Sequence, residues 1–281
     1  MKIIPIDAGN FKMDGGAMFG VVPKSVWSRY YPCDENNLCN WALRSLLIDE
    51  GDRKILIDTG MGNKQDAKYF AHFHRNGEGE LIKSLNEAGY NADDITDVII
   101  THLHFDHVGG AVYRSSEGAL LPTFPNAKYW INKTQWDWAI EANPREKASF
   151  FSENFLPLQE AGQVVFVEDQ QEITENIKVK SYFGHTHGQI IPFIKYQNKT
   201  IVFMADLMPS TAHIPLAWMM AYDIEPMITL KEREEFYKEA INNDMILFFQ
   251  HDLYNEACNL ENTPKGVRVK DSGKLKDLMS I

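Results

Sequence analysis

A short apolar run that ends in a cluster of imidazoles constrains this chain more than any other feature. The stretch reads Asp97-Val98-Ile99-Ile100-Thr101-His102-Leu103-His104-Phe105-Asp106-His107-Val108-Gly109-Gly110. Val98 to Ile100 has the β-branched, apolar character of a buried strand. Within six residues the chain then delivers His102, His104, Asp106 and His107. Imidazole nitrogens and a carboxylate at this density form a donor set suited to zinc and its first-row neighbours. His102 and His104 are placed to converge on one ion from a turn at the strand end, and Asp106 and His107, on the next bend, face a second. Gly109 and Gly110 permit close backbone approach behind the turn.

Three further apolar runs end the same way. Val179-Lys180-Ser181-Tyr182-Phe183 leads into Gly184-His185-Thr186-His187-Gly188. Thr200 to Ala205 ends in Asp206, and Met245 to Phe249 ends in Gln250-His251-Asp252. Four strands thus each deliver a candidate ligand: His102, His185, Asp206 and His251. Side chains at one end of neighbouring strands converge, which is where layered α/β folds place their sites.

The rest of the chain supplies scaffold signals. Residues 1–60 read as strands and hairpins, with a turn at Asp14-Gly15-Gly16 and a strand–turn–strand from Leu46 to Ile57. Residues 61–80 read as a solvated loop or lid, in which His72 and His74 lack a flanking carboxylate. Leu81 to Ala88 reads as an amphipathic helix closed by Gly89. Residues 111–160 read as a pocket-shaping insertion, with a helix capped by Thr134; a homodimer contact is an equally good use for its aromatics. Thr229-x-x-Glu232 reads as the capping box of a helix whose apolar face holds Phe236, Tyr237, Ala240 and Ile241.

Length and charge bound the function. The 281 residues suffice for one large α/β domain, taken here as 1–281. A formal net charge of −11 disfavours nucleic acid as a partner, since such affinity leans on Lys and Arg. No stretch approaches a membrane span, and the first residues lack a signal-peptide core. Cys33, Cys39 and Cys258 lack a C-x-x-C pattern, so reduced thiols and a cytoplasmic setting are the expectation.

The T-H-x-H-x-D-H segment resembles the signature of the metallo-β-lactamase-fold hydrolases. The resemblance implies an α/β fold, a four-layer αββα sandwich with a one- or two-metal site. Residue by residue, it implies His102, His104 and His185 on a first ion, Asp106, His107 and His251 on a second, and Asp206 bridging both. It implies that Asp58, at the end of an apolar run, holds a metal-bound histidine by a hydrogen bond. His187 stands where Pro is frequent and is taken as peripheral. Zinc is the default metal, with manganese, iron or cobalt compatible with the same donors.

The segments around Gly15 to Lys24, Asp206 to Leu216 and Trp218 to Asp223 also resemble the YtnP-like branch of N-acyl homoserine lactone lactonases and related organophosphate hydrolases. That branch implies a pocket lined by Met18, Phe19, Trp27, Phe105 and Trp218. The reaction expected is the opening of a lactone, including N-acyl homoserine lactones as in quorum quenching, by a hydroxide shared between two ions. Asp106 or Asp206 would carry the proton to the leaving alkoxide, and His213 or Tyr222 would assist the oxyanion. The alternatives are an organophosphate or aryl-ester hydrolase on the same donors, and a non-catalytic metal-bearing ligand-binding or sensor module.

Overall fold

The computed structural model describes residues 1–280. In chain order the strands are β1 (Lys2–Asp14), β2 (Leu38–Asp49), β3 (Lys54–Ile57), β4 (Asp97–Ile99), β5 (Val112–Arg114), β6 (Leu120–Pro122), β7 (Lys128–Asn132) and β8 (Val164–Val167). They continue as β9 (Gln170–Glu172), β10 (Ile177–Tyr182), β11 (Gln189–Tyr196), β12 (Lys199–Phe203), β13 (Ile246–Phe248), β14 (Ala257–Thr263) and β15 (Gly266–Gly273). The helices are α1 (Gly15–Phe19), α2 (Lys24–Trp27), α3 (Ala67–His72), α4 (Leu81–Glu87), α5 (Phe105–Val108), α6 (Lys133–Ile140), α7 (Leu156–Glu160), α8 (Pro226–Asn242) and α9 (Leu275–Met279).

The chain forms two compact units, one of residues 1–11 and 43–169, the other of residues 12–42 and 170–281. In the first, the sheet runs β1-β2-β3-β4-β7-β8. Its strands β3, β4, β7 and β8 are mutually parallel, so Asp58 after β3 and Thr101-His102 after β4 leave the same edge. Ile55, Leu56, Ile57, Val98 and Ile99 are fully buried, as continuous apolar runs in parallel strands require. β7 lies in the stretch expected as an insertion, and it is a strand of this main sheet.

In the second unit, the sheet runs β15-β14-β13-β12-β11-β10-β9. β12 and β13 are parallel, while β11 is antiparallel to both β10 and β12. The ends of β10, β12 and β13 therefore share one edge, which brings His185, Asp206 and His251 to it. Helix α8 packs on the sheet, with Phe236 edge-on to Phe193 at 6.2 Å.

Three local expectations change. Residues 61–80 contain α3, capped by Asp66, whose carboxylate accepts from the Tyr69 amide at 2.8 Å. The cap of α6 is Asn132 rather than Thr134, because the Asn132 side chain accepts from the Thr134 and Gln135 amides. The Thr229/Glu232 capping box does not form. Helix α8 begins four residues earlier, with Glu225 at its N-cap and Pro226, whose missing N–H suits the first turn, as its first residue. Glu232 instead accepts from the amides of Phe183 and Gly184 at 2.6 and 3.1 Å.

Among the described residues, no helix is long and apolar enough to cross a membrane. The three cysteine thiols are free.

Candidate metal-ligand sets

In the first unit, each histidine is oriented by a partner on the ring nitrogen that faces away from its neighbours. Asp58 follows β3 in a left-handed conformation, φ 55°, which Asp tolerates better than most residues. Its carboxylate accepts from the Thr101 amide and hydroxyl, both at 2.7 Å, and from His107 Nδ1 at 2.9 Å. Burial pushes the Asp58 carboxyl up, and His107 and Thr101 pull it back down.

The Thr101 hydroxyl proton is committed to Asp58, so its oxygen accepts from His102 Nδ1 at 3.1 Å. His104 turns its Nε2 to Glu146 Oε1 at 2.8 Å. Proton positions assigned from these bonds leave lone pairs on His102 Nε2, His104 Nδ1 and His107 Nε2.

Those lone pairs converge. His102 Nε2 and His104 Nδ1 stand 3.0 Å apart, and the His102 and His107 rings lie 3.8 Å centroid to centroid. Asp106 Oδ2 is 3.8 Å from His107 Nε2. All four side chains are buried. Facing lone pairs without a cation repel, and a buried carboxylate beside them costs more still. The donor set therefore fits a divalent cation.

The second unit repeats the pattern. His185 Nδ1 donates to Asp223 Oδ1 at 3.0 Å, leaving Nε2 3.3 Å from Asp206 Oδ2. His251 Nδ1 donates to the Ala42 carbonyl at 2.8 Å, leaving Nε2 3.2 Å from Asp206 Oδ1. Each oxygen of Asp206 thus faces an imidazole lone pair. Asp206 is held by its own amide, which donates to Gln189 Oε1 at 3.0 Å. It follows Ala205 at φ 41°, a left-handed conformation that costs energy for alanine and collects at functional sites.

A segment entering α8 cradles His185. The Ile224 amide donates to the His185 carbonyl at 3.2 Å, and the Glu225 amide to the Gly184 carbonyl at 2.9 Å. Together with Glu232 on the Phe183 and Gly184 amides, these bonds fix the loop on both sides of the imidazole.

The remaining expected site residues fall in different settings. Phe19 and Trp27 are fully buried and stack at 5.0 Å, and Phe19 stacks on His213 at 4.6 Å. Trp218 meets Phe19 edge-on at 6.0 Å, and the Met18 carbonyl accepts from His213 Nε2 at 2.9 Å. His213 Nδ1 accepts from the Ser210 hydroxyl at 2.7 Å. With both nitrogens engaged and burial pushing its pKa down to about 3, His213 is a fixed neutral group rather than an oxyanion partner. Tyr222 is 37 % exposed and directly precedes Asp223. In the first unit, Phe105 packs with Phe73, Tyr69 and Phe151 at 4.6 to 6.2 Å. His72 and His74 are exposed, and His187 is half-buried with Phe183 at 6.4 Å.

Sequence reading missed Glu146 and Asp223, the carboxylates that orient His104 and His185. Asp223 had a signal in its place at the end of a segment already linked to the site. Glu146 had none, because it is 42 residues from its histidine.

The sequence matches the metallo-beta-lactamase superfamily over residues 44–251. The chain belongs to the metallo-β-lactamase superfamily. Its match spans donors from both units, and its mixed α/β sheets are the fold of that superfamily. A Staphylococcus aureus structure described as a "probable metal-dependent hydrolase" is 31% identical, with a TM-score of 0.88 over 97% of this chain and 96% of that one. The "dizinc quorum-quenching lactonase" AidC has a TM-score of 0.78 at 22% identity, over 95% and 92% of the two chains. An N-acyl homoserine lactonase of Bacillus thuringiensis is 23% identical over 84% of this chain and 90% of its own length. As a superfamily member, the protein is a metal-dependent hydrolase.

Proposed function

We propose that the two donor sets hold one dinuclear centre and that the protein hydrolyses a lactone, with N-acyl homoserine lactones the leading substrate class. His102, His104 and His185 hold the first ion, Asp106, His107 and His251 the second, and Asp206 bridges them. Zinc is the default metal of such nitrogen and oxygen donors.

The observation that carries the reading is the set of outward partners. Asp58, Glu146, Asp223 and the Ala42 carbonyl each occupy one nitrogen of a histidine and turn the other toward its fellow donors. Carboxylates and carbonyls in that position set tautomer and orientation for metal binding. The lactonases among the similar proteins support the choice of substrate class.

When bound, divalent ions in such a set supply an acidified water and a Lewis acid for the substrate carbonyl. The chain supplies the rest. Asp106 and Asp206 carry the proton to the leaving alkoxide in this reading. Tyr222, with part of its surface exposed, offers the hydroxyl for the developing oxyanion. The aromatics around Phe105 and Trp218 offer apolar contact for an acyl chain.

The test pairs metal content per chain with initial rates on an acyl homoserine lactone and on a phosphotriester. Two ions per chain with lactone turnover dominant is the expected result. Dominant phosphotriester turnover would transfer the assignment to organophosphate hydrolysis. Two ions without turnover of either would favour a binding or sensor module, and a chain that binds no divalent ion would overturn the reading.

A further inference from the structure

Glu146 is the one outer partner that comes from the segment between β7 and β8, and its surroundings fix which way it can turn. The side chain is buried, 4 % exposed. One oxygen, Oε1, lies 2.8 Å from His104 Nε2. The other, Oε2, accepts from Trp138 Nε1 at 2.6 Å and from Asn143 Nδ2 at 3.4 Å. Trp Nε1 is a donor and nothing else. The Asn143 amide cannot turn round freely, because its oxygen already accepts from the Arg145 and Glu146 amides at 2.9 and 3.2 Å. Oε2 thus meets donors alone, which leaves Oε1 to the His104 ring.

We propose that Glu146 is a positioning residue that keeps the His104 proton on Nε2 and so keeps Nδ1 available as a ligand, and that Trp138 enforces this choice. The inference rests on the dinuclear reading above. Its chemistry appears when the acid is replaced by its amide. Gln offers one acceptor oxygen and one NH₂ donor. With Trp138 present, the oxygen goes to the indole N–H and the NH₂ faces His104. His104 Nε2 must then accept, which moves the ring proton to Nδ1, the atom needed for the ion. The reverse orientation sets the NH₂ against the indole N–H, donor against donor. Removing the indole N–H leaves only the Asn143 Nδ2 contact, at 3.4 Å the longest of the three, against the Gln NH₂, so the Gln oxygen can turn to accept from His104 Nε2 and the second substitution should repair part of the first.

The experiment measures zinc affinity by competition with a chromophoric chelator. It compares the wild-type protein, Glu146→Gln, Trp138→Phe and the double variant, each demetallated and checked for folding by circular dichroism. We expect wild type to bind two ions. Glu146→Gln should weaken one of them by ~10–100-fold, the range for loss of an outer partner, and leave the other in place. The double variant should recover part of that loss, and ring ¹⁵N shifts of the demetallated proteins should show the His104 proton shifted furthest toward Nδ1 in Glu146→Gln. A wild-type chain that binds no zinc would defeat the metal reading itself. Two ions in wild type with unchanged affinity in Glu146→Gln, or a double variant no better than the single, would overturn the role of Glu146 while leaving the metal reading intact.

Discussion

Asp58 Oδ2 and His107 Nδ1 are joined at 2.9 Å with neither side chain reaching solvent. The same oxygen takes the Thr101 hydroxyl proton, and that hydroxyl in turn faces His102. One buried carboxylate therefore sets the orientation of two histidines. Asp58→Asn tests this cleanly, because Asn tolerates the left-handed backbone at φ 55° and leaves the turn unstrained. The Asn amide offers one oxygen where the acid offers two, so one bond to Thr101 or His107 is lost. Zinc affinity measured by chelator competition should fall ~10–100-fold, the cost usual for an outer partner. An unchanged affinity would mean that the histidines are oriented by packing alone.

Metal removal should be felt by the fold as well as by the reaction. Demetallated protein keeps the five imidazoles and two carboxylates of the donor sets buried without a cation. Hydrolysis should be abolished by a chelator and restored by zinc. At free zinc a thousandfold above Kd, binding adds about 4 kcal/mol to stability. For a domain of this size each kcal/mol moves the melting temperature by ~2–4 °C. A calorimetric scan should therefore show the transition fall by roughly 8–16 °C on chelation.

The parts of the site that were legible in the sequence are those encoded locally. Val98 to Ile100 and Met245 to Phe249 are short apolar runs, β-branched in the first and ending in two aromatics in the second, and each hands its next polar residue to a sheet edge. The parts that were not legible depend on contacts across long separations. Glu146 meets His104 from 42 residues away, and Asp223 meets His185 from 38. Thr229 and Glu232 misled because a capping box is a four-residue pattern, and tertiary contact outbid it. The Glu232 carboxylate has two amides of the His185 loop to satisfy, and Pro226 starts the helix earlier. His213 misled for the converse reason. A histidine shortly after a candidate ligand looks chemical, and only the Met18 carbonyl and the Ser210 hydroxyl reveal a packed, neutral ring.

That neutral ring makes stability depend on pH. Burial lowers the His213 pKa from 6.5 to about 3, with Arg233 adding to the effect. In the unfolded chain the imidazole takes a proton below about 6.5. The folded state does not follow until far lower pH, so its contribution is complete above about 6.5 and is lost as the pH falls toward 3. Urea unfolding of chelated protein between pH 5.5 and 4.5 should show wild type losing stability more steeply than His213→Gln, by up to ~1.4 kcal/mol per pH unit. Parallel curves would mean that the ring is protonated in place.

Gly184 separates space from backbone conformation as the reason for a glycine. It has no left-handed φ, but a Cβ there would lie 2.3 Å from the Thr229 amide nitrogen and 2.5 Å from Thr229 Cα. Those atoms belong to the backbone of α8, which carries the Glu225 and Glu232 contacts to the same loop, so neither side yields cheaply. Gly184→Ala should cost ~1–3 kcal/mol or more in urea unfolding and weaken zinc binding, because the adjacent residue is His185. Gly89 is the control, with φ 90° at the end of α4 and nothing within 4 Å of an added Cβ. Gly89→Ala should cost about 1–2 kcal/mol from the left-handed backbone alone and leave zinc affinity untouched. If both variants lost stability and both kept their zinc, the close approach of Gly184 to Thr229 would be packing without consequence for His185.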